Sequence, residues 1–110
     1  MQTQFHNNAL RLVFPGDILS TNVAELRVAL LGHLGAYPMA GGVIADLGLS
    51  NLIDSQGLNL LVALFRECER RQVTFRVENP VPDIQRLFTA LKLAERFGLT
   101  PAPTPVLAAT

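Results

Sequence analysis

Apolar residues return at two different periods along this chain, and the alternation between them predicts its elements. Ala9 to Phe14 alternates, with Leu10, Leu12 and Phe14 on one side and Arg11 on the other, before Pro15-Gly16-Asp17 breaks the run; this reads as a strand and its turn. Thr3 to Asn7 reads as a preceding strand that pairs across the Asn7-Asn8 turn. Val23, Leu26, Leu30 and Leu34 fall at helical spacing. They predict a helix over 23–34, with Ser20, Thr21 or Asn22 as its cap and Gly32 and Gly35 weakening its end.

Past a turn at Gly41-Gly42, the short apolar run Val43-Ile44-Ala45-Asp46-Leu47 suits a central strand covered on both faces. Asp46 interrupts that run and needs either a partner or an exposed position. From Ser55 to about Gln72 there is no proline, and Leu58, Leu61, Val62, Phe65 and Cys68 recur at spacings of three and four, widened by Leu60 and Leu64. This predicts a long, largely buried helix. Val73 to Val77 alternates as a strand, and Asn79-Pro80-Val81-Pro82-Asp83 turns the chain. Ile84, Leu87, Phe88 and Leu91 then line a further helix that ends near Phe97-Gly98, with Pro82 in its first turn.

The resulting order is strand, strand, helix, strand, helix, strand, helix. It predicts an α/β domain with a small mixed sheet and helices packed on it. The strands near Ile44 and Phe75 run parallel, because a helix joins them. Residues 1–99 form this domain. Residues 100–110 hold three prolines and no charge and read as a Pro-rich flexible tail.

Composition narrows the function. With 49% apolar and 16% charged residues over 110 positions, one packed domain is expected rather than disorder. Nine basic residues balance nine acidic ones, and the arginines are scattered apart from Arg70-Arg71, which suits the last turn of a helix. No basic stripe exists for nucleic acid or anionic lipid. The single Cys68 allows no intrachain disulfide and reads as buried filler. No stretch approaches the ~20 apolar residues of a membrane span, so a cytoplasmic location without membrane insertion is the expectation.

Candidate chemistry concentrates in the segment Leu49 to Leu58, where the chain passes from a central strand into the long helix. Partners often meet α/β sheets at such strand ends. Locally, Asp54 or Ser55 reads as a helix cap. A phosphate on Ser55 would also be favoured there by the free N–H groups and dipole of a helix start.

Val43-Ile44-Ala45-Asp46-Leu47, the core Ile53-Asp54-Ser55-Gln56-Gly57-Leu58, the helix from Leu60 to Arg71, and Asn79-Pro80 leading to Ile84-Gln85-Arg86-Leu87-Phe88 together resemble STAS domains of the anti-sigma-factor-antagonist type over residues 9–98. The resemblance implies the antagonist fold and a non-enzymatic protein switch. By that resemblance the serine after the aspartate, here Ser55, would be phosphorylated by a partner that is both anti-sigma factor and serine kinase, and a phosphatase would reverse the modification. Asp54, Ser55, Gln56, Gly57, Leu58 and Asn59 would form the partner-binding segment. Two positions depart from the family pattern. Gln56 replaces a common serine or threonine, and Leu19 stands where antagonists commonly carry an aspartate in Gly-x-x-Asp.

The same family includes accessory subunits that dock on the ATPase of lipid-transport ABC systems. Leu58-Asn59-Leu60-Leu61-Val62-Ala63-Leu64 suits that role as well, and Leu19 favours it. Hydrolysis by Ser55 fits poorly, because Gly-x-Ser-x-Gly is absent and the only histidines are His6 and His33. Neither a phosphate-binding loop nor a metal-ligand spacing is present, and no cofactor is expected.

Overall fold

Each predicted apolar run becomes a regular element in the computed structural model, which describes residues 1–99. The expected tail at 100–110 lies outside the described residues. In chain order the elements are β1 (Gln2–His6), β2 (Ala9–Val13), α1 (Val23–Ala36), β3 (Gly42–Asp46), α2 (Ser55–Arg70), β4 (Thr74–Glu78) and α3 (Pro82–Ala90). The sheet order is β1-β2-β3-β4. β1 and β2 form an antiparallel hairpin, whereas β2, β3 and β4 are mutually parallel because α1 and α2 carry the chain back between them.

Strand alternation gives the sheet two unlike faces. Leu10, Leu12, Val43, Ala45 and Val77 share one core with Leu26, Leu30 and Leu34 of α1, Leu60, Leu61, Leu64 and Cys68 of α2, and Ile84 and Phe88 of α3. Among the described residues the other face carries no helix, so β3 is not covered there on both sides as its unbroken apolar run suggested. Ile44 is nonetheless only 7% exposed there, since its cross-strand neighbours are Arg11 and Arg76, whose long stems flank it. Asp46 finds the partner its position requires. It accepts hydrogen bonds from the Arg11 guanidinium (2.9 Å), the Gly48 N–H (3.0 Å) and the Asn79 amide (3.2 Å). Burial works against its ionisation, but these donors hold it below the ordinary carboxylate range.

Three local expectations change. Asn22 occupies the cap position of α1, yet its side chain does not cap the helix. Its Oδ1 accepts from the Leu19 N–H and its Nδ2 donates to the Asp17 carbonyl, which binds it to the preceding loop instead. The buried stripe of α2 is Gly57, Leu60, Leu61, Leu64 and Cys68, whereas Leu58, Val62 and Phe65 are half-buried. α3 stops at Ala90 rather than near Phe97, because Lys92 adopts a left-handed backbone (φ 58°) and reverses the chain. The reversal returns Phe97 to the core, fully buried, with its ring 5.0 Å from that of Phe88 and its carbonyl accepting the Val77 N–H at 2.7 Å. Arg70 and Arg71 do close α2, and both bind Glu67. Cys68 is fully buried, and loss of solvation pushes its thiol up to about 11.

Candidate functional site at the start of the long helix

The segments 16–20 and 50–54 lie far apart in sequence but are joined as a short parallel ladder ahead of α2. Ile18 bridges Ile53 in parallel. The Ile18 N–H donates to the Leu52 carbonyl (3.0 Å), and the Asp54 N–H donates to the Ile18 carbonyl (3.3 Å). Side chains close the ladder at its upstream end. Asp17 Oδ1 accepts from the Asn51 and Leu52 N–H groups at 2.9 and 3.0 Å. The fully buried Ser50 hydroxyl donates to the Gly16 carbonyl at 2.6 Å.

Asp54 completes the clasp. As the residue before α2, it is extended (φ −95°, ψ −176°) and its Oδ1 accepts the Gly57 N–H at 2.8 Å, an ordinary N-cap bond. Its other oxygen accepts the Ser20 N–H at 2.7 Å. One carboxylate therefore ties the first turn of α2 to the loop that leads into α1. The Gly57 bond first, and the Ser20 bond second, hold this carboxyl below the ordinary aspartate range.

Gly57 explains why the helix can start so close to that loop. A Cβ at this position would lie 2.0 Å from the Ile18 carbonyl oxygen, so only glycine lets the first turn press against the ladder. Ser55, Gln56 and Asn59 are exposed, Leu58 is half-buried and Gly57 is buried. The expected segment thus divides by role: Ser55, Gln56 and Asn59 face solvent, while Asp54 and Gly57 hold the backbone that presents them. Ser55, the first residue of α2, projects from this rim beside a fixed negative charge.

Two leucines that helical spacing does not reveal complete the surface. Leu49 and Leu52 are each 60% exposed in the loop between β3 and α2. They add exposed apolar area to the loop that runs into the first turn of α2. Asp17, which does not take the place of the aspartate missing at Leu19, is spent on the loop backbone. Leu19 itself is half-buried beside Ser20.

Among the described residues, neither histidine belongs to the segments that build the start of α2. His6 sits on the edge strand β1, and His33 lies in the last turn of α1, whose first turn is the one that adjoins the 17–20 loop. Among the described residues, no group of three or more histidines, cysteines and carboxylates is placed to hold a metal ion. No described helix is long and apolar enough to cross a membrane.

Comparison with known proteins agrees with this geometry. No curated protein matches the chain. Among solved structures, the Thermotoga maritima protein TM1081 superposes with a TM-score of 0.77 at 14% identity, covering 86% of this chain and 80% of its own. The Bacillus anti-sigma factor antagonist SpoIIAA superposes in its unphosphorylated form with a TM-score of 0.73 at 17% identity, covering 97% of this chain and 91% of SpoIIAA. The murine anion transporter Slc26a9 gives a TM-score of 0.75 at 14% identity over 96% of this chain, which corresponds to only 18% of the transporter. These likenesses establish a shared fold, and the model of the STAS domain matches residues 1–105. The mixed four-stranded sheet, its one-sided helices and the Asp54-to-Gly57 clasp are therefore those of a member of the STAS domain family, to which this chain belongs.

Proposed function

We propose that the protein works by binding rather than by catalysis, as an anti-sigma-factor antagonist or a related signalling protein switched by phosphorylation of Ser55. The carrying observation is the exposed Ser55 at the start of α2, directly after the Asp54 clasp and a few residues past the exposed Leu49 and Leu52. A partner serine kinase would transfer the terminal phosphoryl group of ATP to Ser55 Oγ with loss of the hydroxyl proton, and a phosphatase would return it to water. The phosphate would add up to about two negative charges beside Asp54, in a surface whose neighbours are leucines. Like-charge repulsion and desolvation would oppose docking. SpoIIAA, whose fold this chain shares, has been solved in both phosphorylated and unphosphorylated forms.

A second reading rests on Leu19. With no carboxylate at that position, the rim is more apolar than in a typical antagonist, and an accessory subunit docked on a transporter ATPase would use the same surface constitutively. The likeness to Slc26a9 shows that the fold also serves within a transporter. Binding assays with Ser55→Ala and Ser55→Asp separate the two readings: the switch requires opposite behaviour from them, and the constitutive contact requires none.

A further inference from the structure

Among the described residues, the sheet has one of its two edges covered and the other open. At β4, the returning segment after α3 lays its Phe97 carbonyl on the Val77 N–H, 2.7 Å away. At β1, among the described residues, the only partner is β2. Five residues, Gln2-Thr3-Gln4-Phe5-His6, form that edge, and all but Thr3 are exposed. Proteins usually blunt such an edge with lysine, proline or a bulge. This strand has none of them, and its pairing with β2 is unbroken from Gln2–Val13 to His6–Ala9.

The hairpin turn determines which backbone groups are free. Asn7 and Asn8 both have left-handed backbones (φ 51° and 66°), the two-residue turn that closes a hairpin with the right twist. Such a turn is closed by a hydrogen-bonded pair, here His6–Ala9. Antiparallel pairs alternate between bonded and non-bonded, so Gln4–Arg11 and Gln2–Val13 are bonded, whereas Phe5–Leu10 and Thr3–Leu12 are not. The N–H and C=O groups of Thr3 and Phe5 consequently point outward, and among the described residues no other backbone hydrogen bond reaches them.

We propose that this edge binds the β1 edge of a second copy of the chain, in an antiparallel two-fold ladder centred on Gln4. Two outward-bonding residues flanking one inward-bonding residue form a self-complementary pattern. About the axis, Thr3 of each copy exchanges both backbone bonds with Phe5 of the other, and Gln4 meets its own equivalent as a non-bonded pair. The strand carries no lysine, arginine or carboxylate, so the symmetric pairing brings no like charges of these kinds together. The 40% exposed Phe5 ring, stacked at 5.3 Å on Tyr37, would be covered beside the other copy's Thr3. The inference is independent of the Ser55 reading, since it uses neither α2 nor the clasp.

Mass measurement on the full chain across a hundredfold concentration range tests it, together with Gln4→Cys. In a non-bonded antiparallel pair the Cα atoms are about 4.5 Å apart, within the range of a disulfide, and the natural Cys68 is buried. The expected result is a concentration-dependent doubling of mass, and a covalent dimer from Gln4→Cys under mild oxidation that an exposed control, Arg66→Cys, does not give. Thr3→Pro removes an outward N–H that β2 does not use, and Gln4→Lys opposes two like charges on the axis; both should remain monomeric with an unchanged circular dichroism spectrum. A monomer at every concentration, or a dimer that persists in both well-folded variants, overturns the proposal.

Discussion

The Cα of Gly57 faces the Ile18 carbonyl so closely that a methyl group added to it would lie 2.0 Å from that oxygen. The obstacle is backbone, and the same carbonyl also accepts the Asp54 N–H, so it does not yield without disturbing the clasp. Gly57→Ala is therefore expected to destabilise the fold by about 1–3 kcal/mol despite alanine's better helix propensity. Thermal melting would measure this, and an unchanged or raised Tm would contradict the packing argument.

Asp54 should give stability an acid limb. Its carboxyl is held below the ordinary range by the Gly57 and Ser20 N–H groups. The unfolded chain therefore takes up a proton before the folded one does. The clasp's contribution is complete above the unfolded pKa of about 3.9 and is lost as pH falls through the lower folded value. Asp54→Ala is expected to lower Tm at neutral pH and to lose less stability than the wild type when acidified. Melting curves across that range report both effects.

Core and surface of α2 should separate cleanly. Leu61 is fully buried, and Leu61→Ala is expected to cost about 2–5 kcal/mol in denaturant unfolding. Phe65 is only half-buried, packed against Phe75 and Phe97 at ring separations of 6.1 and 6.2 Å, and its truncation should cost less than that of Leu61.

Leu49 and Leu52 should show the reverse. With most of each side chain in solvent, Leu49→Ser and Leu52→Ser are expected to leave stability within about 0.5 kcal/mol of wild type. If they belong to the partner surface, the double variant should weaken partner binding at least tenfold, as calorimetry with the purified partner would show.

The order and type of the elements were legible because apolar periodicity records burial, and burial is what the sheet and its helices share. The Ser55 segment was legible through its resemblance to known domains. What escaped depends on contacts distant in sequence. Asp17 and Ser20 meet their partners 34 residues away, and no local pattern announces such pairs. The apolar run after Leu91 continues to Phe97 at spacings that suit a helix, while the reversal falls on Lys92, a residue with no turn signature. Val43 to Leu47 looked buried on both sides because arginine stems shield Ile44 in place of a helix. Leu49 and Leu52 gave no sign of exposure, since a loop has no period from which a face can be read.

The most direct test of the proposed switch is quantitative binding of the purified partner kinase to wild type, Ser55→Ala and Ser55→Asp, with the wild type measured before and after phosphorylation. Wild type and Ser55→Ala should bind alike, Ser55→Asp should bind far more weakly, and ATP with the kinase should release the wild type but not Ser55→Ala. Equal affinity for all three forms, unaffected by ATP, would contradict the switch and leave Ser55 as the first residue of a constitutive docking helix.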